Sequence, residues 1–279
     1  MPYQWDLNLY RGCQHACSYC FALYTHQFLP DTDFYHDIYI KTNIVEQLDK
    51  QLSDPHWNHS IINIGSVSDS YQPAEAKYRL MPEILRLCLK YQNPIIISTK
   101  STLIIRDLDL IAQLAEKTYV NIAATITCMD ETVRSKIEPG CAPSIDRFKM
   151  LAEFRKTNVS LGLHMMPIIP YLTDSQANLE QICSLAASVN VDYLLPGVLY
   201  LRGLTRQTFF NVIKHDFNNL TDHLQLLYQG QGASQEYKNE LYRRLNPLLE
   251  KYQLSTNYNR LIKSKMKQPS FEQLELFYD

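Results

Sequence analysis

Short runs of apolar, often β-branched residues alternate along this chain with longer stretches of helical hydrophobic period, and this alternation restricts the fold more than any other feature. The predicted strands span residues 6–10, 61–65, 94–98, 120–127, 159–165 and 192–195. The predicted helices span 79–91, 103–116, 144–157 and 175–189, the last capped by Thr173 or Asp174. Six βα units are too few for an eight-stranded barrel, so we predict an α/β fold with a partial (β/α)6 TIM-like barrel.

The alternation stops at residue 206. Residues 206–279 are predicted to be a helical C-terminal appendage, with a second helix at 234–253 after the break at Gly230 and Gly232. We therefore divide the chain into a barrel of residues 1–205 and a helical C-terminal extension of residues 206–279.

Polar side chains follow four of the predicted strands, at residues 66–71, 98–101, 127–130 and 164–167. Because the carboxyl ends of parallel strands share one edge of a sheet, where such folds place their sites, we expect one common site there. Ordinary turns also use Ser, Thr and Asp, which is the alternative explanation.

Composition narrows the class of protein. The formal charge of −2 and the pI near 6.4 exclude a general polyanion-binding protein. No apolar run approaches the roughly 20 residues of a membrane span, and residues 1–12 do not resemble a signal peptide. Seven cysteines, three of them within eight residues, form a poor disulfide framework. We expect a soluble cytoplasmic protein that binds a metal.

Three of these cysteines, Cys13, Cys17 and Cys20, have the spacing C-x3-C-x2-C. Three thiolates on one loop can each bind one iron of a [4Fe–4S] cluster, and the missing fourth ligand leaves one iron open for catalysis. A zinc site with His15 or His26 as fourth ligand is one alternative. Three cysteines packed as small hydrophobic residues are another.

With an aromatic residue before its last cysteine, this loop resembles the signature of the radical SAM superfamily. More narrowly, the chain is similar to the spore photoproduct lyase-like branch, often labelled "DNA repair photolyase". The similar stretches are residues 8–13, 68–73, 98–101, 106–110, 138–139, 166–170 and 273–277. The resemblance implies a lyase-like radical SAM enzyme, in which the open iron chelates S-adenosylmethionine and cleavage gives a 5′-deoxyadenosyl radical. It also implies a one-electron donor of the flavodoxin or ferredoxin type.

The resemblance assigns roles to several side chains. Ser68 and Asp69 occupy the cofactor-contacting position after the second strand, and Lys100 would meet the carboxylate of the cofactor. Thr127 resembles a hydroxyl contact to the ribose or methionine part, and Tyr19 can pack against the adenine ring. Each role has a structural alternative. Asp69 could form a turn, Lys100 could be a solvated surface residue, Thr127 could be an ordinary strand residue, and Tyr19 could pack in the core.

One departure concerns the substrate. Spore photoproduct lyase uses a cysteine just before the cofactor-contacting serine as hydrogen-atom donor, whereas residues 65–67 here are Gly, Ser and Val. The nearest thiols are Cys128 and Cys141, and each is a candidate redox-active thiol. The alternative for each is an inert thiol. Repair of the spore lesion itself is not expected.

Residues 241–268 carry a basic segment with interleaved tyrosines, which suits phosphate contacts and base stacking. Its basic residues are Arg243, Arg244, Lys251, Arg260, Lys263, Lys265 and Lys267, and its single acid is Glu250. We expect nucleic acid as substrate or partner. The alternative for the segment itself is a solvated helical face. For the function, the alternatives are an enzyme that acts on a small molecule or peptide, and a non-catalytic metal-binding protein.

Overall fold

The computed structural model describes residues 3–26, 29, 32–259 and 262. Its strands are β1 (Trp5–Leu7), β2 (Tyr10–Arg11), β3 (Tyr39–Ile40), β4 (Ile62–Ile64), β5 (Ile95–Thr99), β6 (Val120–Thr125), β7 (Ser160–Ile168) and β8 (Tyr193–Val198). Six of them form one parallel sheet in the order β1-β4-β5-β6-β7-β8. The antiparallel pair β2-β3 stands apart and leads into the cysteine loop.

Helices follow the strands of the sheet. They are α1 (Ile44–Leu52), α2 (Pro73–Tyr78), α3 (Leu80–Lys90), α4 (Leu108–Ala115), α5 (Glu131–Ile137), α6 (Ser144–Phe154), α7 (Gln176–Ser188), α8 (Gly203–Asp216), α9 (Thr221–Leu227) and α10 (Gln235–Lys251). Short 3₁₀ helices span Phe21–His26, Thr102–Asp107 and Asn218–Leu220. None of the helices described is long and apolar enough to cross a membrane.

The central strands are buried on both faces, as expected for parallel strands covered by helices. Ile64 of β4 pairs with Ile97 of β5, which pairs with Ile122 of β6, and all three are fully buried. Each fully buried isoleucine contributes about 1.5–3 kcal/mol relative to an exposed one. This rigid sheet fixes the positions of the strand ends.

The predicted α/β partial barrel is confirmed, with corrections at element ends. The predicted strand 6–10 is two elements, β1 and β2, and the predicted helix 103–116 begins as a 3₁₀ turn before α4. The cap of α7 is Ser175, whose hydroxyl accepts a hydrogen bond from the backbone of Asn178, so the assignment to Thr173 or Asp174 is wrong. Those two side chains instead accept backbone hydrogen bonds in the preceding turn.

The C-terminal helices contact the barrel directly. Leu241, Leu245, Leu248 and Leu249 of α10 belong to the same apolar core as the sheet. The helix α8 begins at Gly203, three residues before the proposed boundary at residue 206. The division into residues 1–205 and 206–279 stays a proposal.

Candidate active site

A cavity of about 410 Å³ opens at the carboxyl ends of the strands. Its lining includes the three clustered cysteines, residues 65–69 after β4, 98–100 at the end of β5, and 164, 166 and 167 on β7. Three of the four polar strand ends therefore share one site, as expected from the sequence. The fourth, residues 127–130, lies outside this lining, and Thr125 of β6 takes its place.

The cysteine loop is anchored by backbone contacts on both sides. Cys13 donates its N–H to Phe34 O at 2.9 Å, and Ser18 donates to Ile137 O at 2.9 Å. Gly12 has φ +87°, and a Cβ there would lie 2.8 Å from Asp37 O, so the tight entry to the loop requires glycine. The thiols of Cys13 and Cys17 are thereby held largely buried at the cavity wall.

The thiols differ in their surroundings. Burial raises the pKa of Cys13, and it raises the pKa of Cys20 to about 11. A hydrogen bond with Cys141 and the positive charge of Lys100 outweigh burial at Cys17 and lower its pKa to about 7. Three soft sulfur donors beside one cavity fit an iron–sulfur cluster, since thiolates are its usual ligands.

The zinc alternative fits the geometry less well. Both ring nitrogens of His15 already have protein neighbours: Nδ1 lies 2.9 Å from Gly140 O, and Nε2 lies 3.1 Å from Asp69 Oδ2. His26 packs its ring on Phe34, with centroids 5.0 Å apart.

Asp69 joins three elements at the cavity. Its carboxylate accepts hydrogen bonds from the hydroxyl of Thr99 at 2.8 Å, from the backbone of Lys100 at 2.8 Å and from the backbone of Tyr71 at 2.9 Å. Burial opposes its ionisation, but His15 and these donors lower the pKa of Asp69 to about 2. The contact with His15 is close but poorly aligned for a hydrogen bond, so we describe it as an ion pair. Burial alone would lower the pKa of His15, but Asp69 raises it above its ordinary value.

Ser68 binds the cysteine loop from the same side. Its hydroxyl donates to Gly12 O at 2.7 Å and accepts from Gln72 Nε2 at 2.9 Å. The amide oxygen of Gln72 in turn accepts from the backbone of Gln14 at 2.9 Å. The segment after β4 thus positions the cysteine loop and also lines the cavity.

Lys100 and Tyr19 face each other on the cavity wall, with the Lys100 ammonium 5.8 Å from the Tyr19 ring centroid. The hydroxyl of Tyr19 donates to Glu138, which also forms a fully buried ion pair with Arg147 at 2.6 Å. Burial alone would raise the pKa of Glu138, but Arg147 and Lys100 lower it. Tyr19 is therefore held by its hydroxyl, and its ring lines the cavity.

Three predicted side chains lie outside the cavity lining. Thr127 is buried and donates its hydroxyl to Glu138 at 3.2 Å, because β6 ends at Thr125 and the chain then turns away. Cys128 is buried, and its thiol donates to Asp130 O at 3.3 Å. Cys141 lies behind the cysteine loop, with its Sγ 3.7 Å from Sγ of Cys17. The predicted roles of these three residues stay predictions.

The sequence placed His164 among the polar strand ends but assigned it no role, and it did not indicate Thr125 as a residue of the site. Both line the cavity from adjacent strands, β7 and β6, and Thr125 pairs with His164 in the sheet register. Burial, together with the positive charge of Lys100, lowers the pKa of His164 to about 4, so the imidazole is neutral. The signal was present, since residues 164–167 follow a predicted strand.

The basic segment 241–268 is partly neutralised by acids outside it. Arg243 pairs with Glu240, Arg244 pairs with Glu240 and Asp174, and Lys251 pairs with Glu180. The other basic residues, Arg260, Lys263, Lys265 and Lys267, lie outside the described residues. The described part alone therefore offers less free positive charge than the sequence indicated.

Comparison with known proteins gives matches in sequence and matches in structure. The sequence model of the Radical SAM superfamily matches residues 7–181. An uncharacterised protein of Mycobacterium tuberculosis is 33% identical over 262 residues, which cover 92% of this chain and 77% of the relative. An uncharacterised protein of Methanocaldococcus jannaschii is 28% identical over 168 residues, covering 60% of this chain and 61% of the relative.

Solved structures match the fold. Spore photoproduct lyase complexed with dinucleoside spore photoproduct superposes with a TM-score of 0.65 at 14% identity, covering 88% of this chain and 72% of that chain. Streptococcus suis SuiB bound to precursor peptide SuiA superposes with a TM-score of 0.51 at 13% identity, covering 80% and 47%. At these identities the matches establish the fold alone.

Proposed function

This chain belongs to the radical SAM superfamily, and from that premise we propose that it reductively cleaves S-adenosylmethionine at a [4Fe–4S] cluster held by Cys13, Cys17 and Cys20. When bound, the cluster supplies the electron for cleavage, and the 5′-deoxyadenosyl radical abstracts hydrogen from the substrate. One observation carries the proposal: the three thiols line the same cavity as Ser68, Asp69 and Lys100.

The side chains around the cavity have separate tasks in this proposal. Lys100 provides a fixed positive charge for the carboxylate of S-adenosylmethionine. Ser68 and Asp69 hold the cysteine loop in place and contact the cofactor from the cavity wall. The ring of Tyr19 offers an apolar face to the adenine. Thr127, committed to Glu138, supports this wall from behind.

The test is anaerobic reconstitution with iron and sulfide, followed by S-adenosylmethionine and dithionite. We expect 5′-deoxyadenosine from the wild type and none from Cys17→Ala. The matched control is Cys88→Ala, a buried cysteine of α3 that does not line the cavity, which should retain activity. Uptake of zinc alone, or a cluster that yields no 5′-deoxyadenosine, would support the second candidate, a non-catalytic metal-binding protein.

For the substrate we propose nucleic acid. Phe21 and Tyr200 line the cavity and are 55% and 54% exposed, so their rings are available for stacking on a base. The basic segment 241–268 would supply phosphate contacts. Spore photoproduct lyase, which shares the fold, binds a dinucleoside photoproduct. A small molecule or peptide is the alternative.

Binding of fluorescent DNA and RNA at two salt concentrations separates these substrate classes. Binding driven by phosphate contacts must weaken steeply as salt rises. Phe21→Ala and Tyr200→Ala should weaken binding at both concentrations, whereas Tyr39→Ala, an exposed tyrosine outside the cavity lining, should not. If neither nucleic acid binds at the low or the high salt concentration, a small molecule or peptide is favoured as substrate.

The remaining partners follow from the chemistry. We propose a flavodoxin or ferredoxin as electron donor and the cytoplasm as location. All seven cysteines are free thiols, which suits a reducing compartment.

A further inference from the structure

Cys141 lies outside the cavity lining, yet its thiol touches a cysteine that is proposed to bind iron. Its Sγ lies 3.7 Å from Sγ of Cys17 and 3.9 Å from His15 O, and the side chain is 7% exposed. The two cysteines are 124 positions apart in sequence, so the fold builds this contact.

The loop that carries Cys141 is fitted closely to the cysteine loop. Gly140 donates its N–H to His15 O at 3.0 Å, and a Cβ at Gly140 would lie 2.1 Å from Gln14 O. Arg134 binds Cys141 O at 3.1 Å, and Ala142 donates to Lys100 O at 3.1 Å. These contacts leave the Cys141 thiol little freedom to move.

The geometry distinguishes a hydrogen-bond donor from a fourth ligand. Two thiolates on different irons of one cluster are held apart by the irons between them, whereas 3.7 Å is a hydrogen-bonding distance for two sulfur atoms. A thiolate bound to iron carries no proton, so only Cys141 can donate. Of its two neighbouring acceptors, the charged sulfur is stronger than the carbonyl oxygen of His15.

We propose that Cys141 is a positioning residue that donates a hydrogen bond to the sulfur of Cys17 and raises the reduction potential of the cluster. This inference rests on the proposed function. Hydrogen bonds to the sulfur ligands favour the more negative, reduced cluster, because the donor stabilises the added charge. Cys141 would thus ease the entry of the electron that cleavage requires.

The experiment compares the wild type, Cys141→Ala, Cys141→Ser and Cys88→Ala after anaerobic reconstitution, with iron and sulfide content and midpoint potential as readouts. We expect equal cluster content in all four proteins. The reduction equilibrium of Cys141→Ala should fall about threefold to tenfold, which is about 30–60 mV for one electron. Cys141→Ser keeps a donor and should stay near the wild-type potential. Cys88→Ala, which removes a fully buried thiol of α3 outside the cavity lining, should not change it.

Three results would overturn the inference. An unchanged potential in Cys141→Ala shows that the hydrogen bond has no effect. Loss of the cluster in that variant identifies Cys141 as a ligand. An equal shift in Cys88→Ala shows a general effect of losing a buried thiol. If the wild type itself takes up no cluster, the proposed function fails first and the inference falls with it.

Discussion

Lys100 is the residue on which the cofactor assignment depends most. It lines the cavity beside the cysteine loop, and the negative groups around it, led by Cys17 and Glu138, raise its pKa although burial alone would lower it. A charged ammonium in this place is suited to a carboxylate ligand. Lys100 is half-buried, and the ion pairs of the described part of the chain leave its ammonium available for a ligand.

We predict that Lys100→Met weakens binding of S-adenosylmethionine to the reconstituted protein about 10-fold to 100-fold, since a hydrogen bond to a charged group contributes about 1.5–3 kcal/mol. Equilibrium binding measures the effect. Lys149→Met, an exposed lysine paired with Asp146, should bind like the wild type. Equal affinities for Lys100→Met and the wild type would rule out the assignment.

His164 predicts a pH dependence of folding stability. Its folded pKa of about 4 lies below the ordinary value of about 6.5, so between these values the unfolded chain binds more protons. The stability from neutral His164 is therefore fully present above about pH 6.5 and is lost as the pH falls toward 4.

Between pH 7 and pH 4.5, the free energy of unfolding measured in urea should fall by about 2 kcal/mol more for the wild type than for His164→Gln. The neighbours of His164 are Lys100, which opposes protonation of the imidazole, and Tyr193, whose hydroxyl lies 3.5 Å from Nε2 of His164. His56→Gln, with an exposed imidazole, should follow the wild type. Identical pH profiles for all three proteins would contradict the prediction.

The loop between α5 and α6 connects the barrel to the cysteine loop through Glu138. The carboxylate accepts hydrogen bonds from Tyr19 and Thr127 and pairs with Arg147, and both charged side chains are fully buried. Removal of one partner leaves the other charge buried without compensation. Loss of either partner is therefore expected to destabilise the protein strongly.

We predict that Glu138→Ala destabilises the protein by about 3–5 kcal/mol. The exposed pair of Glu153 and Lys156 on α6 gives the control, because Glu153→Ala should change stability by no more than about 1 kcal/mol. Chemical unfolding at pH 7 measures both. A small loss in Glu138→Ala, comparable to that of the control, would show that the buried pair is not important for stability.

At the scale of elements, the sequence predicted the sheet well because its strands are buried on both faces and carry continuous apolar runs, such as Ile95–Ile97. It missed α1, α2 and α5, which are short helices of six to nine residues. It also missed the 3₁₀ turn before α4. Short elements leave too few positions for a period to be visible.

At the scale of the whole molecule, the spacing of Cys13, Cys17 and Cys20 was enough to predict that these three lie together, because they share one short loop. The contact of Cys141 with Cys17 and the ion pair of Glu138 with Arg147 depend on how distant loops pack. Spacing cannot reveal such contacts. The contact of Thr127 with Glu138 likewise depends on the path of the chain after β6 ends at Thr125.

The central claim is that three cysteines leave one iron of the cluster free to bind S-adenosylmethionine. The most direct measurement is electron paramagnetic resonance of the reduced, reconstituted protein with S-adenosylmethionine carrying nitrogen-15 in its amino group. We predict a hyperfine coupling between the label and the cluster, present in the wild type and absent with unlabelled cofactor. A cluster that shows no coupling, or one whose fourth iron is bound by a protein side chain, would contradict the claim.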